Sequence, residues 1–231
     1  MGGLSGLVVG LAYGARATAR KFTIACALLL GAGAALADPV TIAALGDSLT
    51  QGYGLPQEDG FVPQLERWLQ ANGADVRVLN AGVSGDTTAG GLSRVGWTLT
   101  PEVDALIVAL GGNDLLRGID PAASRANLDG ILQAAQAADV AVLLIGMQAP
   151  GNYGPDYKAA FDAMYPELAA TYDTLYLESF FQGLTDISDR PSAMRTYMQD
   201  DGIHPSAAGV EVIVDGMGPT VLQLVERAKG P

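Results

Sequence analysis

A single histidine, His204, occurs in the 231 residues, in the segment "MQDDGIHPSAAG". Any serine nucleophile that needs an imidazole base therefore has one candidate. Asp201 lies three residues earlier, and Gly202 between them lets the loop fold back, so the carboxylate can reach one ring nitrogen. The other nitrogen is then left to accept a proton. Asp200 is the adjacent rival. Pro205 biases His204 away from helical geometry and makes a good first helical residue, which puts the imidazole at a helix entrance. Taken alone, a lone histidine is more often a plain loop residue, and composition leaves both readings open.

The nucleophile is sought where an apolar run stops. In "ALGDSLTQGYG", Ala44 to Gly54, Ser48 follows an apparent buried strand and stands in the first turn of the next helix. Backbone N–H groups in a first turn are unpaired and point outward. A hydroxyl there can be a nucleophile beside an oxyanion site, or simply a helix cap. The motif is not the G-x-S-x-G elbow, because Thr50 replaces the second glycine. Ser84 in "GVSGD" is the alternative nucleophile. Gly85 offers a backbone that a ligand can approach closely, and Asn113 in "LGGNDLLRG" offers an amide donor for a negative oxygen.

Five apolar runs must position these residues: 40–45, 76–79, 105–110, 140–146 and 174–179. They are near-continuous, as in strands buried on both faces. Helical periodicity fills the intervals, in Phe61, Leu65, Trp68 and Leu69, in Leu128, Ile131, Leu132 and Ala135 after Asp120-Pro121, and in Val210, Ile213, Val214 and Met217. Alternating strands and helices imply parallel strands with right-handed crossovers, hence one three-layer α/β domain. Ligands of such sheets bind beyond the carboxyl ends of the strands. The segments there are "GDSLTQG", "NAGVSGD", "GGNDLLRG", "MQAPGNYG" and "FFQGLTD".

Residues 1–37 read as a cleaved export signal. Arg16, Arg20 and Lys21 precede the apolar run "FTIACALLLGAGAALA", and Ala35-Leu36-Ala37 supplies the small-x-small pattern before Asp38. The run is shorter than the roughly 20 residues of a spanning helix, so no stable membrane anchor remains after cleavage. Residues 38–231 then form the domain, and the compartment is periplasmic or extracellular. The whole chain carries a net charge of −12. Without the signal it holds 10 basic and 25 acidic residues, a net −15, which disfavours nucleic acid and anionic lipid. Cys26, the one cysteine, lies in the signal, which excludes disulfides, a cysteine nucleophile and a cysteine zinc site from the domain.

Four blocks in order, "LGDSLTQGYG", "NAGVSGDTTAGGLSR", "VALGGNDLLRG" and "DGIHPSAAG", make the chain resemble the GDSL-type esterases of the SGNH hydrolase superfamily. The resemblance covers nearly all of the domain and is strongest to the exported bacterial thioesterase I, lysophospholipase and arylesterase group. It implies a flavodoxin-like sandwich with sheet order 2-1-3-4-5. It also implies Ser48 as nucleophile, His204 as base and then acid, and Asp201 as the residue orienting His204. The Ser48 and Gly85 N–H groups and the Asn113 side chain would form the oxyanion hole. No metal or organic cofactor is implied, and the substrate is a small acyl ester or thioester handled by a monomer. The "APGNYGPDY" loop, Ala149 to Tyr157, takes the place of the family's acyl-binding loop, so Asn152, Tyr153 and Gly154 are candidate substrate contacts. The stretch "LTQGYGLPQEDGFVPQL" is closer to arylesterase-like members, which leaves acyl preference open. Deacetylation of a short acetylated sugar is an alternative within hydrolases. A non-catalytic flavodoxin-like binding module is the alternative outside them, although neither G-x-x-x-x-G-K-[ST] nor G-x-G-x-x-G occurs.

Overall fold

The computed structural model describes residues 38–230 apart from 186 and 188. The proposed signal segment, 1–37, lies outside the described residues. Five parallel strands form one sheet: β1 (Val40–Gly46), β2 (Val76–Gly82), β3 (Ala105–Ala109), β4 (Ala141–Ile145) and β5 (Leu175–Leu177). Their order is β2-β1-β3-β4-β5. The helices are α1 (Ser48–Gln51), α2 (Phe61–Ala71), α3 (Thr88–Thr98), α4 (Gly112–Leu116), α5 (Pro121–Ala137), α6 (Pro155–Tyr172), α7 (Gln182–Thr185), α8 (Arg190–Tyr197) and α9 (Ala207–Ala228). The architecture is a three-layer α/β/α sandwich.

Alternation along the buried strands divides the core into two halves. Ile42, Ala44, Ile107, Leu143 and Ile145 face α2 and α9, where Phe61, Leu65, Leu69, Val210, Ile213, Val214 and Met217 are packed. Ala43, Leu45, Leu106, Val108 and Leu144 face α3, α5 and α6, against Leu128, Ile131, Leu132, Phe161 and Tyr165. Each fully buried Leu, Ile, Val, Phe or Met among them contributes about 1.5–3 kcal/mol over exposure. Both sheet faces are thus spent on packing, and only the strand ends are free for chemistry. Edge strand β2 alternates between buried and exposed residues instead.

Helix starts follow local chemistry. The Asp120 carboxylate caps α5, with Pro121 in the first turn. The last helix starts two residues later than Pro205 suggests. Ser206 caps α9, and Pro205 forms a bridge with Met198. The bridge is made by the flanking groups, Gln199 N–H to His204 O and Ser206 N–H to Tyr197 O, so it asks no N–H of Pro205.

Candidate active site

β1 ends at Gly46, and α1 begins two residues later directly over the strand ends. A Cβ on Gly46 would run into the Thr50 hydroxyl, and one on Gly82 into the backbone of Gln51. The glycines therefore let α1 settle into a saddle between the ends of β1 and β2. Arg94, on α3, holds that saddle. Its guanidinium donates to Gly46 O at 2.8 Å, to Ala81 O at 2.6 Å and to Asp86 Oδ2 at 2.7 Å. A planar fork is suited to three fixed acceptors of this kind. Asp47, not Ser48, caps α1: its Oδ1 accepts from Leu49 N–H at 3.0 Å. Ser48 is left at the first helical position with its hydroxyl free to face the carboxyl ends of the strands.

The loop between α8 and α9 brings His204 to it. Gln199 N–H donates to His204 O at 2.8 Å and Ser206 N–H to Tyr197 O at 2.8 Å, which closes the loop. Within it, Asp201 Oδ1 accepts from the N–H groups of Ile203 and His204 at 2.9 and 3.0 Å. Asp201 Oδ2 lies 2.7 Å from His204 Nδ1, and His204 Nε2 lies 2.9 Å from Ser48 Oγ. The His204 backbone N–H, its ring and the Ile203 N–H hold the Asp201 carboxyl down at about 2. An ionised carboxylate only accepts, so Nδ1 carries the proton and donates to it, and Nε2 accepts from the Ser48 hydroxyl. The Tyr53 ring packs against the imidazole at a tilt, with centroids 4.6 Å apart and planes at 38°.

Two further loops face Ser48. Gly85 sits in a turn with φ +80°, and its carbonyl accepts from Arg117 at 2.8 Å. Asn113 is the second residue of α4, and its amide donates to Asp47 Oδ2 at 3.3 Å. The helix is fastened by Asp114, which is fully buried. That carboxylate accepts from Thr88 N–H at 2.9 Å, the Thr88 hydroxyl at 2.6 Å and the Ser124 hydroxyl at 2.8 Å. Three donors compensate the loss of water around a buried carboxylate.

A cavity of about 310 Å³ lies over these groups, lined by Ser48, Gly85, Asn113 and His204 with apolar Leu49, Leu115, Leu116, Met147, Phe181 and Ile203. A groove of about 570 Å³ adjoins it through Phe181 and Ile203, and adds Pro150, Leu184, Met194 and Met198. Among the described residues, neither wall contains a lysine or arginine. Another cavity, about 590 Å³, opens at the amino ends of β3 to β5 beside Asp104, Asp173 and Arg227, and holds no nucleophile–base pair. Among the described residues no group of three or more His, Cys, Asp or Glu side chains could hold a metal ion.

Ser48, Gly85, Asn113, Asp201 and His204 thus stand together. Ser84 also lines the cavity, but its hydroxyl donates to Gln51 Oε1 at 2.7 Å. Asn152, Tyr153 and Gly154 do not line the cavity. The Tyr153 hydroxyl donates to Leu116 O at 3.4 Å, so it touches the rim through that residue. Sequence reasoning missed Asp47, Arg94 and Asp114. Asp47 and Asp114 flank residues it singled out, and an acid beside a buried strand end was the available signal. Arg94 gave none.

The sequence model of the GDSL-like Lipase/Acylhydrolase family matches residues 44–212. Esterase TesA of Pseudomonas aeruginosa is 40% identical over 186 residues, covering 80% of this chain and 89% of that protein. Thioesterase 1/protease 1/lysophospholipase L1 of Escherichia coli K12 is 37% identical over 202 residues, covering 87% and 91%. Among solved structures, AlinE4, an SGNH-hydrolase family esterase, is 43% identical with a TM-score of 0.65, covering 80% of this chain and 96% of that one.

Proposed function

The chain belongs to the GDSL-like lipase/acylhydrolase family, and from that membership we propose how it hydrolyses carboxylic esters and thioesters. Ser48 Oγ attacks the substrate carbonyl carbon while His204 Nε2 takes the hydroxyl proton. The carbonyl π electrons move to oxygen. That oxyanion is held by the N–H groups of Ser48 and Gly85 and by the Asn113 amide. The tetrahedral intermediate collapses, and the departing alkoxide or thiolate takes the proton from His204. An acyl-Ser48 ester remains. Water then attacks it, gives a proton to His204, and Ser48 leaves as the alcohol with that proton. Asp201 keeps the imidazole in the required tautomer and offsets its positive charge.

One observation carries this reading. The Ser48 hydroxyl and the His204 ring are 156 residues apart in sequence and 2.9 Å apart in space, with Asp201 at 2.7 Å behind the ring. The apolar walls of the cavity and of the adjoining groove suit acyl and alcohol groups without charge. These walls favour small esters and thioesters with apolar arms on both sides of the carbonyl. A panel of p-nitrophenyl esters and acyl-CoA thioesters from short to long chain tests the class. Ser48→Ala should abolish turnover of every substrate that the wild type cleaves. Full retained activity in that variant would remove the mechanism.

Export belongs to the same proposal. The leader features of residues 1–37 support a working enzyme in the periplasm or outside the cell. Mass analysis of protein recovered from the periplasmic fraction should find a chain beginning at Asp38.

A further inference from the structure

Asp47 is an unexpected group in the wall of this cavity. It is 3% exposed and lines the cavity with Ser48 and Asn113, where the proposed mechanism develops negative charge on the substrate carbonyl. Burial pushes its carboxyl up from the ordinary range, against the opposing pull of the Leu49 N–H and the Asn113 amide. A second anion there repels an oxyanion, so the site keeps it at a cost to both folding and chemistry. Capping α1 does not require it, because asparagine and serine cap as well as aspartate. The capping bond also uses only Oδ1. Oδ2 is turned the other way, 3.3 Å from Asn113 Nδ2. Its approach to α4 is built into the backbone, since a Cβ on Gly112 would stand 3.2 Å from that oxygen.

An Asn amide has two orientations of nearly the same shape. One presents NH₂ to a neighbour, the other presents the carbonyl oxygen, and the hydrogen-bond partners decide between them. For Asn113 the choice is decisive, because the carbonyl face would repel an oxyanion that the NH₂ face stabilises. We propose that Asp47 is a positioning residue whose acceptor-only carboxylate holds the Asn113 amide with its NH₂ group inward, one hydrogen on Oδ2 and the other free for the substrate oxygen. The inference rests on the reading of Asn113 as an oxyanion donor. It also accounts for the acid that precedes the nucleophile: the residue works through Asn113, 66 positions away.

Asp47→Asn separates this role from capping. The Leu49 N–H still demands an acceptor, so the new amide must turn its oxygen there and its NH₂ toward Asn113. Donor then faces donor, and the Asn113 amide rotates. Steady-state hydrolysis of p-nitrophenyl acetate is measured for wild type, Asp47→Asn, Asn113→Ala and the double variant, with thermal midpoints alongside. Asn113→Ala should lower kcat by about 10²- to 10³-fold. Asp47→Asn should lower kcat by roughly 10- to 10²-fold, with KM within about twofold and a thermal midpoint equal to wild type or higher. In the double variant the Asp47 substitution should change kcat by less than about threefold beyond Asn113→Ala alone, as expected for a group acting only through its neighbour. Asp47→Ser, which also keeps a cap, carries the same expectations if the first variant does not fold. Wild-type kcat in Asp47→Asn, or effects that multiply fully in the double variant, would overturn the proposal. Wild-type kcat in Asn113→Ala would instead overturn the oxyanion reading on which it stands.

Discussion

Replacing Gly82 by alanine adds one carbon at the end of β2, under the helix that carries Ser48. Gly82 has no left-handed backbone to lose, so the effect is one of space. The new Cβ would stand 2.8 Å from Gln51 Cα and 2.9 Å from Asp47 O, with Gln51 N nearer still. All three are backbone atoms in or next to α1, and backbone cannot rotate away as a side chain can. Ordinary contact begins near ~3.4 Å, and the nearest of these atoms, Gln51 N, sets the shift, so α1 must retreat by about 1 Å. His204 lies on another loop and does not follow. The Ser48–His204 contact, 2.9 Å, would open by up to about 1 Å, to as much as roughly 3.9 Å, and cease to be a hydrogen bond. A misplacement of about 1 Å costs on the order of 10²-fold in rate, so kcat should fall by about 10- to 10²-fold. Overpacking of this kind destabilises by about 1–3 kcal/mol, or roughly 2–12 °C in Tm for a domain of this size. Hydrolysis of p-nitrophenyl acetate and a thermal melt read both numbers. Gly73→Ala is the control. Nothing lies within 4 Å of its Cβ, but its φ is +87°, so it should lose about 1 kcal/mol and keep full activity. A Gly82→Ala enzyme with kcat within twofold of wild type would refute the saddle as a positioning device.

The Asp201 carboxyl, held at about 2, stays ionised wherever the enzyme works. A depressed carboxylate stabilises the fold above its ordinary value near ~3.9 and loses that contribution as pH falls through about 2. Between pH 4 and 9 Asp201 should therefore add no ionisation of its own to the profile of kcat/KM, and a carboxylate step on the acid side belongs to Asp47, whose carboxyl burial raises; a titration of the Asp201 carboxyl above pH 4, followed by NMR, would contradict this assignment. Asp201→Asn should lower kcat by about 10⁴-fold through loss of the tautomer. Arg94→Lys removes the fork that holds Gly46 O, Ala81 O and Asp86. Bonds to a charged group are each worth about 1.5–3 kcal/mol, so a loss near ~3 kcal/mol and a drop of roughly 6–12 °C in Tm are expected; a drop below about 2 °C would show the fork to be dispensable.

Ser48 and His204 were legible because the chemistry leaves few choices. A nucleophile needs a base, and one histidine is available. Asp201 followed from three-residue spacing across Gly202. Strands β1, β3 and β4 were visible as apolar runs, since burial on both faces erases alternation. The long helices were visible from their 3.6-residue period, and every apolar position cited for α5 and α9 is buried. Sheet order was legible only through the resemblance, because periodicity says which residues are buried but not which strand lies beside which. The short helices α7 and α8 escaped notice. Segments of four and eight residues gain little from propensity and are held by what they pack on. Asp47, Arg94 and Asp114 escaped for a related reason. Their bonds to Ala81, Gly46, Thr88 and Asn113 span 13 to 66 positions, and no spacing rule covers such distances.

The short helix after the first strand supplies the nucleophile, and the base arrives on the last loop before the final helix. A growing chain therefore carries a mute Ser48 until more than four-fifths of its length has been made. Hydrolysis can begin only when α9 docks beside α2 and draws its preceding loop over the sheet. Turnover is in that sense a report on completion: a chain that stalls, is clipped ahead of Asp201, or has not yet closed its last helix will be silent toward every ester, whatever the state of its earlier strands.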